Sequence, residues 1–94
     1  MAYGIRAAFI ILRRYIRRYH RNTIQQIIET WAPCTENATQ KYIDCVCQRT
    51  GLRQDVAIAF EDRETMCKLV QAMAFVECGV VIKEKDIQTG YDMA

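Results

Sequence analysis

Ninety-four residues, 51% of them hydrophobic and 26% charged, make one globular domain, residues 1–94, and exclude a disordered chain. A net charge of +2 is too mild to demand nucleic acid as a partner. No apolar run approaches the roughly 20 residues that span a bilayer.

The first helix is predicted from about Tyr3 to Tyr19. Ile5, Ala8, Phe9, Leu12, Tyr15, Ile16 and Tyr19 recur at three- and four-residue spacing and form one face. Arg6, Arg13, Arg14, Arg17 and Arg21 fall on the other face, with Arg18 at its edge and Ile10 in its middle. No capping residue precedes the first apolar position, so either further chain precedes Met1 or this helix frays at its start.

Asn22 or Thr23 caps the second helix, with Gln25 or Gln26 closing the box. Its stripe is Ile24, Ile27, Ile28 and Trp31. Pro33, the one proline, pushes Ala32 out of the helical region and stops this helix at the one tryptophan. Asn37 is the expected cap of a third helix, with Gln40 three places on; the helix runs from about Ala38 to Thr50. Tyr42, Ile43, Val46 and Thr50 face inward, Lys41, Asp44 and Gln48 outward, and Gly51 ends it. Leu52 to Phe60 alternates like a strand with nothing to pair with, so an extended connector pins Ile58 or Phe60 into the core. Asp62 starts a fourth helix that runs to about Cys78, with Gly79 after it. Its stripe is Met66, Leu69, Val70, Met73 and Val76; Glu77 falls on the same stripe and Phe75 points away. A last helix, about Glu84 to Met93, packs through Ile87 and Tyr91. The fold class is therefore all-α, a compact orthogonal bundle of about five helices.

The cysteines are Cys34, Cys45, Cys47, Cys67 and Cys78. Their number is odd, and Arg13 and Arg14 interrupt the apolar start with no small-residue cleavage site after them. Free thiols in a reducing cytoplasm follow. Cys45 and Cys47, two apart on a helix, point to nearly opposite sides and cannot clamp one metal, and His20 is the one histidine, so no metal or cofactor is expected.

Tyr3-Gly4-Ile5-Arg6-Ala7, Asn22-Thr23-Ile24, Trp31-Ala32-Pro33, Glu36-Asn37 with Thr39, Tyr42-Ile43, Thr50-Gly51 and Glu77 with Gly79 follow one another in that order. The order resembles a family of small phage- and prophage-encoded proteins described as virion or structural proteins. The resemblance spans almost the whole chain, and Trp-Ala-Pro followed by Glu-Asn-x-Thr is its most specific part. Relatives of that kind usually begin with a segment containing Asn-Asn-Pro-Gly-Asn, which this sequence lacks. They often carry a second proline where Cys34 stands and asparagine where Cys78 stands. The resemblance implies a phage setting, in the host cytoplasm or on the virion.

Three groups are candidate sites. Glu77, on an apolar stripe and near a helix C-terminus, is expected to be partly buried; desolvation and the helix dipole both favour the neutral acid that a general acid must be. A glycosidase also needs a second carboxylate or an equivalent stabilising group and a sugar groove, and Asp44 and Glu29 point outward. The reading set against catalysis is a buried structural Glu77 paired with an arginine or with exposed backbone amides. The arginine face, Arg6, Arg13, Arg14, Arg17 and Arg21 around Ile10, is either a solvated face or the partner-binding surface for an acidic protein or a second copy; nucleic acid is disfavoured because Tyr15 and Tyr19 lie on the apolar side. Thr35, Glu36 and Asn37 at the corner are explained by capping, and Trp31 by packing. The function expected is non-enzymatic, a phage- or prophage-derived structural or interaction module. The alternative is the helical lobe of a lysozyme-like cell-wall-degrading enzyme with Glu77 as acid.

Overall fold

A computed structural model describes residues 2–32 and 35–94. Five α-helices follow in order: α1 Ala2–Arg17, α2 Ile24–Trp31, α3 Glu36–Thr50, α4 Arg63–Cys78 and α5 Glu84–Met93. They pack into an all-α bundle with a radius of gyration of 12.0 Å. α1 lies chiefly on α5, α3 on α4, and α2 on α3, while α4 also packs on α5 and α1. The stripes read from spacing supply the core: Phe9 and Leu12 from α1, Ile24, Ile27 and Ile28 from α2, Ile43 and Val46 from α3, Met66 and Leu69 from α4, and Ile87 from α5. Tyr19 is a correction. It lies past the end of α1 and is exposed. The chain turns there through His20, whose φ of 55° is left-handed, a conformation that histidine tolerates better than most side chains. The Arg21 N–H then donates back to the Tyr15 carbonyl at 2.9 Å.

Local chemistry sets the helix ends. Thr23 caps α2 by accepting from the Gln26 N–H at 3.1 Å. Gln26 Oε1 in turn accepts from the Asn22 N–H at 3.2 Å, so the capping box is closed one residue earlier than its usual form. α2 ends at Ala32, whose φ and ψ of −133° and 71° have left the helical region. Pro33 and Cys34, the helix breaker and the first thiol, lie outside the described residues. The cap of α3 is a second correction: Thr35, not Asn37, accepts from the Ala38 N–H at 3.3 Å. Asn37 sits inside the first turn, exposed. Gln40, expected in the capping box, bonds Asp44 and Gln54 instead. Asp62 caps α4, and Gly51 and Gly79 end α3 and α4 with φ of 75° and 71°, as glycine allows.

The segment after α3 is extended only around Ala57 and Ile58, which corrects the expectation of an extended connector. On either side it turns, the Val56 N–H donating to the Arg53 carbonyl at 3.3 Å and the Asp62 N–H to the Ala59 carbonyl at 3.1 Å. The segment also finds a partner, which alternation alone did not reveal. Thr23 and Ala57 form an isolated antiparallel bridge, and the Ile58 N–H donates to the Asn22 carbonyl at 2.7 Å. Ile58 and Phe60 are both buried, whereas Val56 is exposed. α5 approaches α1 closely through Gly90. A Cβ there would lie 3.1 Å from Ile5 Cβ and closer still to its Cγ2, so glycine is required where a helix interior otherwise disfavours it.

Candidate functional site

Glu77 stands on the last turn of α4, where the apolar stripe runs past the edge of the core. Its carboxylate is exposed, which corrects the expectation of burial. It is nevertheless held. Glu77 Oε1 accepts from Trp31 Nε1 at 3.3 Å and from the Tyr42 hydroxyl at 3.1 Å. The three residues come from the end of α2, the middle of α3 and the end of α4, so one carboxylate oxygen ties three helices. Tyr42 reaches it from the core side: the residue is buried, and its hydroxyl also lies 3.4 Å from the Met73 carbonyl. Burial first, and then the charge of Glu77, push the Tyr42 phenol well above its ordinary range, so it stays a donor. Trp31 is half-buried and packs against the core cluster. Thr39 braces the same corner by donating from its hydroxyl to the Ala32 carbonyl at 3.4 Å. Sequence spacing placed Tyr42 and Trp31 inward but did not pair them with Glu77. The available signal was the polar tip that each large aromatic must satisfy.

An exposed carboxylate with neutral donors carries a modest energy. Glu77→Gln is expected to cost about 1 kcal/mol in urea melts, because an amide oxygen still accepts from both groups. A loss above about 3 kcal/mol would instead mark a desolvated, charge-dependent anchor.

Beside Glu77 lies an apolar cleft of about 200 Å³, open to solvent. Ile5 and Ala8 of α1, Trp31 of α2, and Val70 and Met73 of α4 form its walls, and Glu77 is the one carboxylate lining it among the described residues. Glycoside hydrolysis uses a pair of carboxyl groups roughly 5–9 Å apart across the bond. The cleft supplies one.

The arginine face divides in two. Arg6 Nε donates to the Met93 carbonyl at 3.1 Å and an Arg13 guanidinium nitrogen to the Ala94 carbonyl at 2.7 Å. These two side chains neutralise the negative end of the α5 dipole. Arg17 pairs with Glu61 at 2.6 Å, and both Arg13 and Arg17 lie over the Phe60 ring. The Arg17 bond holds the Glu61 carboxyl below its usual range. Arg21 reaches the Gln26 carbonyl at 3.3 Å and Glu29 at 3.5 Å. Arg6, Arg13, Arg17 and Arg21 are thus engaged within the fold. Arg14 is exposed without a partner among the described residues, and Arg18 lies only over the Tyr19 ring. Ile11 is exposed and Ile10 partly so, on the same outward stripe as Arg14 and Arg18.

Cys45, Cys47, Cys67 and Cys78 are free thiols. Burial pushes the Cys47 and Cys67 thiols above their ordinary range, which disfavours the reactive thiolate. Among the described residues, no group of three or more His, Cys, Asp and Glu side chains could hold a metal. No described helix is long and apolar enough to cross a membrane.

The chain is similar to protein P5 of Pseudoalteromonas phage PM2, 38% identical over 77 residues that cover 82% of this chain and 46% of P5. It therefore spans about half the length of that relative. No protein-family model matches the chain. No solved structure matches it.

Proposed function

We propose that this chain is a phage-related interaction module, working through protein contact on the virion or in the host cytoplasm rather than through catalysis. The likeness to a phage protein supports the setting. The observation that carries the contact is the outward stripe of α1. Two consecutive isoleucines, Ile10 and Ile11, stand beside Arg14 and Arg18, and neither arginine has an acidic partner among the described residues. A solvated helix face needs charge but gains nothing from adjacent isoleucines; a contact with an acidic partner uses both. Arg6, Arg13, Arg17 and Arg21 belong to the proposed surface as its scaffold: the first three hold α1 to α5 and to the connector, and Arg21 holds the turn after α1 to α2.

Doubly substituted Ile10→Asp, Arg14→Glu protein should fold like wild type, because both positions lie outside the core. Particles made by the phage or prophage that encodes the chain should carry the wild-type protein and lose the double variant. Equal amounts of both on the particle would refute the stripe as the contact. The competing reading, a lysozyme-like helical lobe with Glu77 as general acid, gains a cleft beside its carboxylate but no second acid in it among the described residues. Release of muropeptides from purified peptidoglycan by wild-type protein and not by Glu77→Gln would establish that reading instead.

A further inference from the structure

The cleft beside Glu77 is apolar on every side but one. Ile5, Val70, Met73 and Trp31 line it together with the Glu77 carboxylate, and no Lys, Arg or His lines it among the described residues. Glu77 Oε1 is taken by Trp31 and Tyr42, and Oε2 has no partner among the described residues. At Gly4, on the edge of the cleft, an added Cβ would meet nothing within 4 Å, so the mouth is open there.

A second, independent observation concerns the helix ends. α1 and α3 carry arginines in their last turns, and the end of α5 receives Arg6 and Arg13 from α1. The last turns of α2 and α4 have no basic residue. Arg21 reaches Glu29 in α2 and the Arg49 guanidinium lies 3.6 Å over the Phe75 ring in α4, but no cation is paired with Glu77 among the described residues. Glu77 thus stands at the negative end of a helix dipole without a directly paired cation among the described residues. The complement of an open anionic oxygen above an apolar slot is a cation on a thin aliphatic stem.

We propose that this cleft receives a lysine side chain from a partner protein. Its methylenes lie on Ile5, Val70 and Met73, and its ammonium meets Glu77 Oε2 beside the Trp31 ring. Lysine fits better than arginine. A guanidinium fork seeks both carboxylate oxygens in one plane, and Oε1 is already occupied; an ammonium is a point charge that needs one oxygen. The site shares no residue with the α1 stripe, so each stands or fails alone.

Trp31 is the one tryptophan, so its indole N–H gives a single resonance at the site. Labelled protein is titrated separately with n-butylammonium, n-butanol and n-pentanoate, which share a four-carbon stem, and with N-acetyl-lysine methylamide. Butylammonium and the blocked lysine should bind saturably, about three- to tenfold tighter than butanol, with pentanoate weakest. Glu77→Gln should erase the preference for the ammonium. Ala74→Leu, which fills the cleft and leaves the carboxylate, should block every probe. The wild-type series decides the matter even if a variant fails to fold. Butanol binding as tightly as butylammonium, or no saturable shift with millimolar ammonium, overturns the proposal. So does butylammonium binding without the blocked lysine, since the slot would then take a free amine and not a residue in a chain.

Discussion

Phe9→Ala is expected to cost about 3–5 kcal/mol, the range for deleting a fully enclosed aromatic ring. Phe9 is 0% exposed and meets the Tyr91 ring edge-on, with centroids 5.4 Å apart. Tyr91 stacks on Phe60 at 5.2 Å, and its hydroxyl donates to the Phe60 carbonyl at 2.8 Å. The ring is therefore the first member of a chain that joins α1 to α5 and α5 to the connector before α4. Its loss opens a cavity and also loosens the surface on which Arg13 and Arg17 lie. Domains of this size have about 5–15 kcal/mol in total, so the variant should be close to unfolding at 37 °C. Urea melts followed by circular dichroism measure the loss. Tyr19→Ala, at an exposed aromatic two residues past the end of α1, is the control and should change little. A Phe9→Ala loss below about 1.5 kcal/mol would mean that the site collapses around the gap and that α5 is not anchored through it.

Helix positions were legible because apolar spacing and terminators agreed: stripes at three and four residues, Gly51 and Gly79 after their helices, Asp62 before α4. The cap of α3 was not. Thr35 and Asn37 are both good caps two residues apart, and the choice between them depends on how the chain leaves the corner, which intrinsic preference does not encode. Glu77 was placed on the correct stripe and at the wrong depth. Periodicity assigns a face, but where the core ends along that face depends on how far the neighbouring helices extend. The same limit governs the arginines. Spacing gathers Arg6, Arg13, Arg14 and Arg17 on one side, and only the packing of α5 against α1 brings the Met93 and Ala94 carbonyls to two of them. What remains outward, Ile10, Ile11, Arg14 and Arg18, is a narrower surface than the sequence outlined.

Trp31→Ala is expected to cost about 2–3 kcal/mol, less than a fully buried ring. The indole is half-buried, packed on the core from the end of α2, and lines the cleft. An aromatic of this size buries up to about 250 Å², and half of that at about 25 cal/mol per Å² gives close to 3 kcal/mol. The bond from Nε1 to Glu77 adds little to that figure, since both groups can turn to water once separated. Trp31→Phe separates the two terms: it keeps most of the packing, loses the N–H, and should cost less than about 1.5 kcal/mol. Thermal and urea melts of both variants give the comparison. A Trp31→Ala loss near 5 kcal/mol would place the ring deeper than half-buried and make the cleft a consequence of its position. A loss below 1 kcal/mol would mean that the ring contributes little to the fold. Trp31 would then be a residue kept at the surface for what it touches, with Glu77 orienting it through Nε1 and Tyr42 holding the carboxylate from below.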